Sequence, residues 1–128
     1  MTNMKILILF SMIFCHIVDD YYLQGILASM KQRDWWKKQE SYNENYKYDY
    51  IIALIMHAFS WAFMVLLPFI LVGINQYAIV ISITINTIIH AFIDDLKANK
   101  KRINLVIDQT LHILQILLTW FIIANTVV

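Results

Sequence analysis

Residues 50–72 read YIIALIMHAFSWAFMVLLPFILV and hold no Asp, Glu, Lys or Arg. At about 1.5 Å per residue, a helix of this length crosses the roughly 30 Å hydrocarbon core of a bilayer. Only a helix or a closed barrel satisfies every backbone hydrogen bond in lipid, so this run is read as a transmembrane helix. Pro68 falls late in it, where the missing N–H is expected to bend only the half away from His57. Three further stretches, 4–28, 77–96 and 103–126, are apolar over comparable lengths. Hydrophobic residues make up 60% of the chain and charged residues 15%, which excludes an ordinary soluble domain. The expected fold is all-α: an integral membrane bundle of four transmembrane helices, with residues 1–128 as a single domain.

The largest hydrophilic element, residues 30–49, separates the first two spans. Trp35, Trp36, Tyr42, Tyr46 and Tyr48 alternate there with basic side chains, and Tyr50 follows. Such a mixture suits the headgroup region, so a cytoplasmic amphipathic or interfacial segment is expected. Of the ten basic residues, Lys31, Arg33, Lys37, Lys38 and Lys47 lie in this segment and Lys97, Lys100, Lys101 and Arg102 in a second one, leaving Lys5 apart. Basic loops beside spans stay in the cytoplasm. The chain is therefore expected in the inner (cytoplasmic) membrane, multi-pass, with both termini extracytoplasmic; Lys5 alone opposes that orientation. Gly73 to Gln76 reads as a short outer turn and Ala98 to Arg102 as a second inner one. Asp34, Glu40, Glu44 and Asp49 interleave the basic residues, which argues against a nucleic-acid surface.

Lys5 and the apolar run after it have the look of a secretion signal. The run instead continues into His16 to Asp20 without a small-residue cleavage site, and Phe14 is too bulky to precede a lipoprotein cysteine at Cys15. The segment is expected to remain as the first helix, with Cys15, the single cysteine, packing as a small hydrophobe.

Three of the four histidines pair with an aspartate four positions away: His16 with Asp20, His90 with Asp94, and His112 with Asp108. Residues at i and i+4 share one helix face, so each pair aims an imidazole and a carboxylate at a common point. His57 lies about seven residues, roughly 10 Å, into the second span. The four helices thus deliver these groups to the cytoplasmic half of the bilayer. Ionised carboxylates in hydrocarbon are costly, and a bound divalent cation removes the penalty. His16, Asp20, His57, His90, Asp94, Asp108 and His112 are the candidate metal ligands. Seven ligands exceed one tetrahedral zinc and suit two metals with open positions, by analogy with ferritin-like bundles. The expected cofactor is one or two divalent transition-metal ions, with zinc or manganese foremost. Buried His–Asp hydrogen bonds that merely fix helix pairing are the alternative.

Asp19 and Asp95 are rotated about 100° from their neighbours and are candidates for a general base instead. Lys97 is a candidate for stabilising developing negative charge. Gln24, Asn86, Gln109 and Gln115 could bond to ligands or substrate, or join helices.

The segments His16-Ile-Val-Asp19-Asp20-Tyr21-Tyr22-Leu23-Gln24, isolated His57, His90-Ala-Phe-Ile-Asp94-Asp95-Leu-Lys97 and Asp108-Gln109-Thr110-Leu111-His112 form four ordered motifs. In them the chain resembles a family of small bacterial membrane proteins of unknown function, with Lys31 representing the basic position that follows the first motif. The resemblance covers nearly the whole chain and implies the four-helix membrane fold without an established activity. A looser similarity runs to membrane-bound metal-dependent hydrolases.

Ligand chemistry then points to a membrane-embedded metal-dependent hydrolase with a mono- or dinuclear centre near the cytoplasmic side, acting on a phosphoester or lipid headgroup. Membrane lipids and a small-molecule or lipid substrate are its expected partners, nucleic acid is not, and self-association into a homo-oligomer is allowed. Proton or cation conduction is the alternative, although the outer halves of the spans are nearly all apolar. A third reading is an interaction protein in which the metal only staples the fold. Gly-rich phosphate loops, the Gly-x-Ser-x-Gly elbow and Cys-x-x-Cys pairs are missing from the sequence, which removes the common soluble-enzyme readings.

Overall fold

The computed structural model describes residues 2–39 and 43–126. Glu40 and Tyr42, counted above in the hydrophilic segment, lie outside the described residues. Among the described residues the fold is all-α, with six α-helices and no strand. Helix α1 (Thr2–Val18) runs into a π-helical turn (Asp19–Leu23); α2 (Leu27–Met30) and α3 (Arg33–Lys37) are short; α4 (Asp49–Leu71), α5 (Gln76–Ala98) and α6 (Leu105–Thr126) are long. Four stretches, Asn3–Leu23, Glu44–Leu71, Gln76–Ala98 and Leu105–Asn125, are long and apolar enough to span a membrane. The first ends before residue 28, because the wide turn and then Gly25, at φ 49°, break the α-helical path.

Helix α4 packs against α1 and α5, and α6 closes the ring against α5 and α1. Sharp turns make neighbouring helices antiparallel. Gly73, at φ 78°, ends α4 with the paired bonds Gly73 N to Ile70 O (3.1 Å) and Ile74 N to Phe69 O (3.3 Å). Asn75 Oδ1 then caps α5 by accepting from the backbone N–H groups of Tyr77 (2.9 Å) and Ala78 (3.3 Å).

The bundle is apolar outside and polar inside. Phe10, Phe14, Met56, Phe59, Ile88 and Phe121 are exposed, whereas His16, Asp19, His57, His90, Asp94, Asp108 and His112 are buried. An apolar exterior of this extent is what a lipid environment covers. At one end the interior is dry: Met12, Trp61, Val65, Leu66, Phe69 and Ile116 form one cluster. Between helices in lipid such a core is held by close packing rather than by transfer from water. Lys5 Nζ closes that end by donating to Ala124 O (2.5 Å), at the carbonyl-rich end of α6.

At the opposite end the two basic segments meet. Arg33 N donates to Asn99 Oδ1 (2.7 Å), Asn99 Nδ2 donates to Lys31 O (3.1 Å), and Lys101 Nζ pairs with Asp34 (3.0 Å). The Lys101 ammonium holds the Asp34 carboxyl below the usual carboxylate range. Helices α2 and α3 are thereby folded back over the open end of the bundle. Trp36 Nε1 pins that fold by donating to Met30 O (2.7 Å).

Candidate metal centre

Each long helix supplies polar side chains near this end, and all three His–Asp pairs have the expected geometry. The ring-to-carboxylate distances are 3.7 Å for His16–Asp20, 3.8 Å for His90–Asp94 and 3.4 Å for His112–Asp108. Shorter contacts run between helices. His57 Nε2 lies 2.9 Å from Asp94 Oδ2 and 3.0 Å from His90 Nε2, while His112 Nε2 lies 3.2 Å from Asp94 Oδ1. Three imidazole edges therefore face one carboxylate. Asp20 Oδ1 stands 3.8 Å from His57 Nε2 on the side of the opening.

Two overlapping groups could hold an ion: Asp20, His57 and His90, and His90, Asp94 and His112. In a tetrahedral centre with bonds of about 2.0–2.1 Å, neighbouring ligand atoms lie about 3.3 Å apart. Within the two groups the contacts given above run from 3.0 to 3.8 Å. The imidazole edges opposite, at Nδ1 of His57, His90 and His112, are buried without hydrogen-bond partners. Each ring has thus turned its engaged nitrogen inward. The fully buried Trp61 forms the floor, stacked on His90 with ring centroids 4.1 Å apart, and His90 stacks in turn on His112 at 4.1 Å.

His16 stands apart from both groups. Trp61 Nε1 can only donate, and it does so to His16 Nδ1 (2.7 Å); the ring proton then lies on Nε2, which donates to Gln109 Oε1 (3.1 Å). Both nitrogens are occupied. Asp108 also falls outside the groups and receives Lys97 Nζ at 2.6 Å. Asp95 points to the surface, held by Lys100 (3.0 Å) and Asn99 Nδ2 (3.0 Å). Asp19 is buried beside α4, where Ser60 Oγ donates to its Oδ1 (2.7 Å). The π-helical turn explains how two consecutive aspartates both reach the interior, since it changes the angular step from Asp19 to Asp20.

A polar pocket of about 450 Å³ opens from the cluster between α2 and the α5–α6 turn. Asp20, Lys31, Asp94, Lys97, Lys101 and Asp108 line it. Lys31 is the cation nearest the centre: its Nζ lies 2.5 Å from Asp94 Oδ2, with Gln24 Oε1 at 3.4 Å. Gln24 Nε2 donates to Asp20 Oδ1 (2.5 Å), and Gln109 Nε2 reaches Asp20 Oδ2 (3.3 Å) and Asp108 Oδ2 (3.1 Å). Gln24 and Gln109 thus bond to the candidate ligands Asp20 and Asp108. Asn86 and Gln115 instead join α5 to α6 beyond the rings, with Gln115 Nε2 donating to Asn86 Oδ1 (2.9 Å).

Spacing carried some of the groups that sequence reasoning passed over. Trp61 is four residues from His57, on the same face of α4, and Ser60 is three away. Lys31 carried no such signal for contact with Asp94, because its position depends on the fold-back of α2. No curated protein and no solved structure matches the chain, and nothing supports similarity to a hydrolase. The ordered motifs do have a counterpart: residues 8–128 match the family described as protein of unknown function DUF3307, and the chain belongs to that family.

Proposed function

We propose that this protein is a membrane-embedded metal-dependent hydrolase of phosphoesters, with a divalent ion held by His90, Asp94 and His112, beside His57. The observation that carries the reading is the convergence of three imidazole Nε2 atoms on the Asp94 carboxylate at 2.9, 3.2 and 3.8 Å. Imidazole and carboxylate donors suit zinc and manganese alike. A bound ion would supply an acidified water and a polarised phosphoryl oxygen.

Asp20, between the rings and the pocket, is placed to accept the water proton. Hydrolysis adds the water hydroxyl to phosphorus and returns a proton to the departing ester oxygen. Lys97 and Lys101 line the pocket where negative charge develops. Lys31 occupies Asp94 Oδ2 in this structure and would yield that oxygen to the ion. Asp95 has no part in this scheme, being paired with Lys100 on the surface. By the positive-inside rule the pocket opens to the cytoplasm.

Conduction is the weaker reading. Polar side chains continue beyond the rings through Asn86, Gln115 and Thr119, but Leu66, Phe69, Ile79, Ile116 and Ile123 then fill the interior. The test is elemental mass spectrometry of the detergent-purified chain, beside His90→Ala and Asp94→Asn variants of verified fold, followed by phosphoester turnover. One or two ions per chain, lost in both variants together with turnover, support the proposal. A chain that stays metal-free after reloading overturns it.

A further inference from the structure

The polar pocket does not end at its lysines. It shares Tyr21, Leu105 and Gln109 with an open, mainly apolar groove of about 490 Å³ on the outside of the bundle, between the end of α1 and α6. Val106, Ile113 and Leu114 continue the groove wall, and Val106 and Leu114 are exposed on the face that lipid would cover. From Leu105 to Leu114 the wall is about 14 Å long at 1.5 Å per residue. The π-helical turn joins the two compartments, since Asp20 lines the pocket while the next residue, Tyr21, lines both. By contrast, the apolar pocket beneath α2, between Leu27, Trp36 and Met56, shares no lining residue with the polar one.

A water-soluble phosphoester would leave the groove unused. An amphiphile fills both compartments, with an anionic head among the lysines and a hydrocarbon tail along α6. The charges agree with this assignment. Lys31, Lys97 and Lys101 face Asp20, Asp94 and Asp108 in the pocket lining, and Lys101 also pairs with Asp34, so it is a divalent ion at the centre that turns the balance positive towards the head.

We propose that the α1–α6 groove seats an acyl chain of an anionic membrane phospholipid whose phosphate occupies the lysine-lined pocket, so that substrate arrives sideways from the bilayer. This rests on the metal-centre reading, which supplies the excess charge.

The experiment uses the zinc-reloaded full chain in phosphatidylcholine vesicles, with metal content measured on the same sample. One set of vesicles carries a trace of phosphatidic acid with a mid-chain diazirine, and the other carries phosphatidylcholine with the same labelled chain. After irradiation the cross-links are mapped by peptide mass spectrometry. With the phosphatidic acid probe, label on Val106, Ile113 and Leu114 is expected to exceed that on Phe59 and Ile88 by about tenfold, equivalent to about 1.4 kcal/mol of preference. The phosphatidylcholine probe should label all lipid-facing positions alike, and Ile113→Trp, which fills the groove, should remove the enrichment. Even labelling by the phosphatidic acid probe, or equal groove labelling by both probes, overturns the inference. Metal bound with even labelling removes the groove and leaves the centre standing; groove labelling on a chain that binds no metal keeps the lipid site and removes the hydrolase.

Discussion

Asp94→Asn is the most informative single change, because it preserves shape while removing the charge on which the site converges. Asp94 is 5% exposed and accepts contacts from Lys31 at 2.5 Å, His57 at 2.9 Å and His112 at 3.2 Å. Breaking one partner of a buried ion pair costs about 3–5 kcal/mol, mostly because the other charge is left stranded. Lys31 is 14% exposed and borders the pocket, so its ammonium can turn towards water and the lower end applies, about 3 kcal/mol. For a chain of this length 1 kcal/mol shifts the melting temperature by about 4 °C, which predicts a fall of about 12 °C. The assay is thermal unfolding of metal-free protein in detergent, run for Asp94→Asn, Lys31→Met and the double variant. If the pair is coupled, Asp94→Asn should cost at least about 1 kcal/mol less in the Lys31→Met background than alone. A melting temperature within 2 °C of the parent, or strict additivity of the two changes, would refute the reasoning that Lys31 and Asp94 hold each other at the centre.

His16→Ala should destabilise the protein by about 1–3 kcal/mol, because it strands the buried Trp61 N–H, yet leave metal stoichiometry unchanged; loss of the ion in elemental analysis would return His16 to the ligand set. Gly73→Ala should cost about 1–2 kcal/mol, read as a lower melting temperature, since its Cβ would meet nothing within 4 Å and only the φ of 78° opposes it. Lys101→Ala should leave stability at pH 7 nearly unchanged, because Lys101 and Asp34 are 72% and 55% exposed. The sign of any residual effect is fixed: the Asp34 carboxyl is held low in the folded chain, so its contribution is present at neutral pH and disappears as pH falls through the lowered value. A melting-temperature difference between Lys101→Ala and the parent that grows towards acid pH would contradict this.

The four helices long and apolar enough to span a membrane were legible in the sequence, because about twenty consecutive apolar residues mark each of them. Fixed helical pitch made the His–Asp pairs legible too, and all three lie within 4 Å as their spacing required. What spacing could not rank was the partners across helices. His57 has no aspartate on its own turn, yet it makes the shortest imidazole contact to Asp94, whereas His16 has Asp20 one turn away and spends both nitrogens on Trp61 and Gln109.

The sequence by itself therefore determined the number of long apolar helices, the end of the bundle at which the polar groups gather, and the side chains that share each helix face, since all three follow from local periodicity and charge. Only the tertiary structure decided which of those side chains meet. Packing around Trp61 brought His57, His90, His112 and Asp94 together; the π-helical turn holds Asp19 and Asp20; and the return of α2 set Lys31 on Asp94. These are long-range outcomes of packing, in which a modest rotation of one helix exchanges one contact for another without altering the local pattern that the sequence displays.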